Sequence, residues 1–396
     1  MRLIHTSDWH LGRTLHGENL LPYQDGFLRW LLDEAVRQRA GAVVVAGDIY
    51  DRAVPPLDAV RLLDAVLLRF AQAGIPVILT SGNHDSAVRL GFGAGLSEAA
   101  GIHLRTSVGD LARPVLLADE HGPVAVYGVP YLLPDAVMAE LGVRTRTHQA
   151  VLAEAARLIR ADAATRGIAR TVVAAHAFVT GGQPAESERD IRVGGVADVP
   201  AAVFAGFSYV ALGHLHGAQR AGPDPEIRYS GSPLAFSFSE KDHVKSVTLA
   251  EIDAAGQVRT TLLPAPVPRP LREVRGTLDN LLARADKHGA DQHGADSGLA
   301  DLAGAWVKVV LTDTVRPSAP MERLREKWPH TLILDFAPEG QLTSSDADLE
   351  RLASATDPVE ICCMFVDFTS GGPADGAHRA VLRAAVEAAQ HAESAA

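Results

Sequence analysis

The first half of the chain alternates short apolar segments with amphipathic ones. Residues 42–46 read Ala-Val-Val-Val-Ala, and a run that is apolar on both faces with a β-branched centre is typical of a buried parallel strand. Strands that alternate with helices build sheets whose faces are covered by helices, so we predict a layered α/β core. We expect strands at residues 2–5, 42–46, 76–80, 115–118, 124–129, 171–175 and 209–212, and helices at 21–40 and 57–73.

A proline-rich segment at residues 264–270 interrupts this pattern. It holds four prolines in seven residues, which neither a helix nor a central strand accommodates. We therefore predict a core domain at 1–263, a linker at 264–270, a small α+β cap domain at 271–345 and a helical partner-binding region at 346–396. In the last two we expect helices at 278–285, 321–327, 358–368 and 376–389 and strands at 306–311 and 331–336.

Composition excludes several classes of protein. The 396 residues are 47% hydrophobic and 21% charged, the mix of an ordinary globular protein. The net charge of −11 argues against a protein that coats nucleic acid by bulk charge, since such proteins are basic. The two cysteines are adjacent, which indicates no disulfide framework. We find no apolar run of signal-peptide or transmembrane type, and we expect a cytoplasmic protein.

Polar side chains follow five of the predicted strands at the point where each strand ends. They are Asp8, His10, Asp48, Asn83, His176, His214 and His216. Taken singly, each has an ordinary structural explanation, because Asp often caps helices, Gly-Asn-His-Asp is often a turn, and a lone His beside a strand is more often a hydrogen-bonded core residue. In open α/β sheets, however, sites form at the carboxyl ends of strands. We therefore expect these side chains to meet.

The residue types in this set suit a pair of metal ions. If Asp48 bridges two ions, the seven side chains give each ion four protein ligands. Imidazole, carboxylate and amide oxygen without thiolate suit Mn²⁺, Fe²⁺ or Zn²⁺, and paired ions ~4 Å apart hold both the attacking and the leaving oxygen in phosphoryl transfer. His84, next to Asn83, is then free for proton transfer or transition-state stabilisation. Asp51 and Asp85 are candidate carboxylates that orient histidines.

The order of these motifs resembles that of the calcineurin-like metallophosphoesterase superfamily. The local sequence of residues 1 to about 260 more closely resembles the SbcD nuclease family within that superfamily. The motifs that carry the closer resemblance are Ser-Asp-Trp-His-Leu-Gly-Arg at 7–13, Gly-Asp-Ile-Tyr-Asp at 47–51 with Pro-Pro at 55–56, and Tyr-Ser-Gly-Ser-Pro at 229–233. The resemblance implies one ion at Asp8, His10, Asp48 and His216, and a second at Asp48, Asn83, His176 and His214. It also implies that His84 is the catalytic histidine.

The same resemblance implies an activity and a partner. The activity is that of a Mn²⁺-dependent DNA nuclease, a double-strand 3′–5′ exonuclease and a hairpin and single-strand endonuclease in DNA repair, recombination and replication. The partner is an SbcC-type coiled-coil ATPase, which would deliver the DNA ends and hairpins that an acidic chain holds poorly. Arg13, Arg52 and Arg89 closely follow the motifs and are candidate phosphate contacts; an ordinary surface role is the alternative.

Two predicted helices are more apolar than one packed face requires. The helix at 57–73 carries apolar residues around most of its girth, whereas a surface helix on a sheet hides a single stripe. Either a neighbouring helix or a second copy of the chain must cover the rest, and the resemblance favours a homodimer. The helix at 358–368 is also apolar on most sides, and we expect it to dock a partner.

Two other functions remain open at this point. The first is a phosphatase or phosphodiesterase for small molecules or phosphoproteins, and the second is a non-catalytic scaffold for an ATPase. The complete ligand set argues against the scaffold, and the extension beyond the linker argues against a minimal small-molecule enzyme. The repeated His-Gly-Ala-Asp at 288–291 and 293–296 offers metal-binding residue types, but we interpret it as a solvated loop, since its polar surroundings would not order them.

Overall fold

The computed structural model describes residues 1–188, 199–290, 302–338, 355, 357–370 and 372–394. The chain separates into two compact units, Met1–Leu271 and Arg272–Ala396. Its strands in chain order are β1 (Arg2–Thr6), β2 (Thr14–Leu15), β3 (Glu18–Asn19), β4 (Ala42–Ala46), β5 (Val77–Thr80), β6 (Ile102–Arg105), β7 (Val115–Asp119), β8 (Gly122–Val129), β9 (Thr171–His176), β10 (Tyr209–Gly213), β11 (Gln219–Arg220), β12 (Ile227–Tyr229), β13 (Ser246–Ile252), β14 (Val258–Pro264), β15 (Leu271–Gly276), β16 (Trp306–Leu311) and β17 (Thr331–Phe336). Its α-helices are α1 (Leu21–Arg37), α2 (Leu57–Gln72), α3 (Ala87–Leu90), α4 (Ala94–Glu98), α5 (Pro134–Val137), α6 (His148–Arg166), α7 (Leu278–Ala290), α8 (Pro320–Lys327), α9 (Pro358–Ser370) and α10 (Gly376–Ser394).

Two six-stranded sheets form the first unit. The first has the order β14-β13-β1-β4-β5-β6, and the second has the order β11-β12-β10-β9-β8-β7. Strands β1, β4, β5 and β6 run parallel, and so do β8, β9, β10 and β12. The carboxyl ends of each parallel set therefore lie at one edge of their sheet.

Successive residues of the strands pack in opposite directions, which creates the layers. Leu3 and Val44 of the first sheet share a core with Val126 of the second. Ile4 and Val45 point the other way and pack with apolar residues of α1 and α2, while α6 packs with the second sheet. The result is a helix–sheet–sheet–helix arrangement, and the predicted layered α/β core is confirmed.

The ends of several helices differ from the sequence expectation, since α9 runs to Ser370 instead of residue 368 and α10 to Ser394 instead of residue 389. Helix α1 ends at Arg37, short of residue 40, because Arg39 takes a φ of 52° that an α-helix cannot include. Helix α7 continues to Ala290 instead of stopping at residue 285. The first His-Gly-Ala-Asp copy therefore begins within a helix, and the rest of the repeat lies outside the described residues.

The second unit is built on a three-stranded sheet of order β15-β16-β17. Val307 and Val309 of its central strand pack with Leu281 of α7 and Leu324 of α8. Helices α9 and α10 pack against each other. The predicted α+β character of this region is confirmed. Across the described ranges of both units, we find no helix that is both long and apolar enough to cross a membrane.

Candidate metal centre

The polar strand ends of the two sheets come together in the first unit. The first sheet contributes the residues after β1, β4 and β5, and the second contributes the residues at the ends of β9 and β10. Nearly all of the predicted ligands are buried, and Asn83 is half-buried. The buried ligands are Asp8, His10, Asp48, His176, His214 and His216, and His84, predicted as the catalytic residue, is buried beside them.

Asp48 lies among the histidines of this cluster. Its Oδ2 atom is 3.5 Å from Nε2 of both His10 and His176, and 4.0 Å from Nε2 of His84. The possible ligand atoms lie within 4.8 Å of one another in three overlapping groups, Asp8–His10–His216, His10–Asp48–His84 and Asp8–Asp48–His176. The groups share Asp8, His10 and Asp48, so the cluster offers adjoining positions for cations.

The hydrogen bonds of His176 test whether a metal ion fits. Its Nδ1 lies 3.0 Å from the Ala46 carbonyl, which can only accept, so Nδ1 carries the proton of the neutral ring. Its Nε2 then presents a lone pair, and Oδ1 of Asn83 lies 2.9 Å from it. Two acceptors that face each other at this distance repel, and a cation between them removes the repulsion. Asn83 Nδ2 has no hydrogen-bond partner among the described residues.

The ionisation of the buried histidines also suits metal binding. Burial lowers the pKa of His176 to about 4 and that of His216 to about 4. Burial, followed by repulsion from neighbouring histidines, lowers the pKa of His10 and His214 well below the usual range. The rings are therefore neutral at pH 7, and neutral imidazole is the form that ligates a metal.

The buried carboxylates of the cluster also favour a bound cation. Burial and the nearby charge of Asp48 raise the pKa of Asp8 well above its usual range. Two buried carboxylates this close disfavour each other's ionisation, whereas an opposite charge beside them favours it. Divalent cations therefore fit the donor set, and Asp8, Asp48 and the facing histidines would hold them.

Backbone strain concentrates at the same residues. Asp8, His10, Asp48 and His214 have positive φ angles of 53°, 44°, 50° and 111°, a region that non-glycine residues rarely adopt and that clusters at functional sites. Residue 82 must be glycine for steric reasons, because a Cβ at that position would lie 2.1 Å from Oδ1 of Asp48. These side chains therefore come together at the cost of unfavourable backbone φ angles at four of the residues.

Two family models match the chain. The model of the calcineurin-like phosphoesterases matches residues 1–218, more than half of the 396 residues. The chain belongs to the calcineurin-like phosphoesterase family. A second model, named for the SbcD C-terminal domain and described as the type 5 capsule protein repressor C-terminal domain, matches residues 267–364. Together the two matches confirm the resemblance to SbcD-type nucleases.

As a calcineurin-like phosphoesterase, the chain is a metal-dependent hydrolase. Bound divalent ions would supply positive charge to the phosphate oxygens of a substrate. His84 is placed beside them by two contacts of its own. Its backbone N–H donates to Oδ1 of Asp48 at 2.9 Å, and its Nδ1 donates to the Asp51 carbonyl at 2.7 Å. Its Nε2 lies on the side of Asp48, 4.0 Å from Oδ2.

Asp85 supports the phosphoesterase centre differently from the sequence expectation. Its carboxylate accepts the backbone N–H groups of Ile49, Tyr50 and Gly82 at 2.9–3.0 Å. It therefore ties the loop after β4 to the loop after β5, and these contacts orient backbone instead of a histidine ring. Burial and the charge of Asp48 raise the pKa of Asp85 to about 6.

Asp51 fits its predicted role of orienting a histidine better than Asp85 does, since its Oδ1 is 3.6 Å from Nδ1 of His10.

The three candidate DNA-binding arginines differ in exposure. Arg13 is only 17% exposed. Its guanidinium lies over the Phe236 ring, whereas Arg52 and Arg89 are exposed. Of the three side chains, those of Arg52 and Arg89 are therefore the more accessible from solvent.

A polar group around His216 was not evident from the sequence pattern. It comprises Ser187, Glu188, Glu240 and Lys245, all within hydrogen-bond distance of His216 or of one another. These residues follow no strand-end pattern. The sequence offered one indirect indication, because lysine is rare in this chain, with five lysines among 37 basic residues. One of these few lysines, Lys245, is buried in the group.

Proposed function

We propose that the chain is an SbcD-type DNA nuclease that hydrolyses phosphodiester bonds with two metal ions, Mn²⁺ being the expected pair. The observation that carries the proposal is the combination, in one chain, of the buried Asp48-centred cluster and the match to the SbcD C-terminal domain. The substrates would be double-strand ends and hairpins, and the setting DNA repair and recombination.

The proposed partner is an SbcC-type ATPase. A net charge of −11 disfavours tight DNA binding by the chain alone, since phosphate contacts dominate DNA affinity. The C-terminal helices offer apolar side chains for a protein contact. Phe365 and Ile361 of α9 are 66% and 37% exposed, and Val381 of α10 is 69% exposed. Ile361 and Phe365 are four residues apart and so share one face of α9, and a contiguous exposed apolar patch, unlike scattered single residues, is typical of a surface that another protein covers.

The proposed nuclease function predicts different results for two substrates. Full-length protein with Mn²⁺ should cleave a labelled DNA hairpin and also hydrolyse a chromogenic phosphodiester. Truncation after Pro268 should keep hydrolysis of the small diester, because every proposed ligand precedes that residue. It should lose duplex cleavage and binding of the ATPase partner.

The same assays separate the alternatives. Hydrolysis of the small diester by full-length protein without hairpin cleavage would favour a small-molecule phosphoesterase. Activity on neither substrate, with metal bound, would favour a scaffold. Equal loss of both activities on truncation would mean that the C-terminal region only stabilises the core.

We also propose that a second copy of the chain covers part of α2. Its buried face, which includes Phe70, packs into the core of its own unit. Leu57, Val60 and Leu68 on the same helix are 73%, 41% and 56% exposed. Phe92, which follows α3, is 89% exposed and adds to the apolar surface of the unit.

Leu68→Glu is expected to convert a homodimer into a monomer, because the charge would be buried at the proposed interface. Leu116→Glu is the matched control, since Leu116 is 54% exposed on β7 of the other sheet and should leave the dimer intact. Sedimentation at micromolar concentration measures both. A monomeric wild-type protein would contradict the interface. Phe70→Glu is uninformative here, because Phe70 is fully buried.

A further inference from the structure

His216 is held at three of its atoms by residues far from it in the sequence. Its backbone N–H donates to Oε1 of Glu188 at 2.7 Å. Its carbonyl accepts from Nζ of Lys245 at 3.0 Å. Its ring atom Nδ1 lies 2.6 Å from Oγ of Ser187. Both the backbone and the ring of this proposed ligand are therefore fixed from outside its own loop.

The direction of the hydrogen bonds follows from the donors available. Ser187 has one hydroxyl proton, and it donates to Oε1 of Glu240 at 2.6 Å. Glu240 acts as an acceptor because its carboxylate is ion-paired with Lys245 and accepts the N–H of Phe236 at 3.0 Å. Ser187 must then accept a proton from His216, so Nδ1 of His216 carries the hydrogen.

The position of this hydrogen decides what the ring offers to the centre. A neutral imidazole has one N–H, so a hydrogen on Nδ1 leaves a lone pair on Nε2. Nε2 of His216 lies 3.3 Å from Nε2 of His10, within the Asp8–His10–His216 group. Metal-binding histidines commonly donate their second ring N–H to a carboxylate or another acceptor, which fixes ring orientation and raises ligand basicity.

We propose that Ser187 and Glu240 are positioning residues for the metal centre: Glu240, acting through the Ser187 hydroxyl, fixes His216 as its Nδ1–H tautomer and aims Nε2 at the ion. The proposal rests on the metal-dependent function above. Lys245 completes the arrangement by holding Glu240 as a carboxylate acceptor.

The burial of the ion pair supports a role in orientation. Glu240 is fully buried, and Lys245 is 4% exposed. A buried ion pair is often no more stabilising than a well-packed apolar pair of similar volume. Orientation of His216 explains why charged residues are placed here, since an apolar pair could not direct the Ser187 hydroxyl.

Ser187→Ala tests the proposal without disturbing the Glu240–Lys245 ion pair. Mn²⁺ affinity is measured by calorimetric titration of the metal-free, full-length protein, and thermal unfolding is measured in parallel. We expect the affinity to fall by roughly 10–100-fold with little change in the unfolding midpoint. Ser187→Thr keeps the hydroxyl and should restore the affinity. Ser239→Ala is the control, because Ser239 accepts from Glu186 beside Ser187 and has no contact with His216 among those described.

A second measurement covers the case in which the variant does not fold. The ¹⁵N shifts of His216 in metal-free wild-type protein should show the Nδ1–H tautomer. An Nε2–H tautomer, or unchanged Mn²⁺ affinity in folded Ser187→Ala, would overturn the proposal. Neither readout uses DNA or turnover, so failure of the nuclease function and failure of the positioning role give different results.

Discussion

Asp48→Ala is expected to abolish binding of both metal ions and hydrolysis of every phosphodiester substrate. The carboxylate lies 3.5 Å from Nε2 of both His10 and His176, between the ligands proposed for the two ions. Its removal would leave two cations without the anion that separates them. The loss should exceed the roughly 10–100-fold that follows from removing a partner of a metal ligand.

Elemental analysis and an assay with a chromogenic diester measure the two effects. Asp33→Ala is the matched control, because Asp33 is an exposed carboxylate on α1 and should leave metal content and rate unchanged. If Asp48→Ala retains two ions per chain, Asp48 does not bridge them, and the division of ligands proposed above fails.

His84→Ala is expected to reduce the hydrolysis rate by about 10²–10⁴-fold, the usual contribution of a general acid or base, with metal content nearly intact. The backbone N–H of residue 84, which donates to Asp48, survives the substitution. The loop should therefore keep its place while the ring is lost. Steady-state kinetics and elemental analysis on the same preparation test the prediction, with the exposed His121→Ala as the control for removal of a histidine.

The structure also offers a competing role for His84. Its ring belongs to a group with His10 and Asp48 whose possible ligand atoms lie within 4.8 Å of one another. If His84→Ala loses an ion along with activity, His84 is a ligand. The combination of lost activity and retained metal is what a catalytic role requires.

Local patterns in the sequence were sufficient to predict much of the fold. The bounds of β4 at Ala42–Ala46 and of β16 at Trp306–Leu311 match the expectation, because both segments are rich in the β-branched and aromatic residues that strands favour. The strand ends that carry Asp8 and Asp48 could also be predicted to meet, since parallel strands of one sheet place their carboxyl ends at one edge. His176 lies at the end of β9 in the second sheet, and only the packing of the two sheets brings it to Asp48.

Features that depend on distant packing could not be predicted. Ser187 lies far in the sequence from the segment that holds Glu240 and Lys245, neither segment has a periodic pattern, and only the folded chain brings them to His216. Likewise, the apolar girth of α2 was visible in the sequence, but the sequence did not show which residues face the core. Packing buries Phe70 and leaves Leu68 exposed.

The most direct test of the two-ion centre is anomalous X-ray diffraction from crystals of the full-length protein grown with Mn²⁺. Two manganese peaks about 4 Å apart are expected, one on each side of the Asp48 carboxylate. Asp8, His10 and His216 should ligate one, and Asn83, His176 and His214 the other. A single peak at this cluster, or manganese only at other sites, would contradict the two-ion centre.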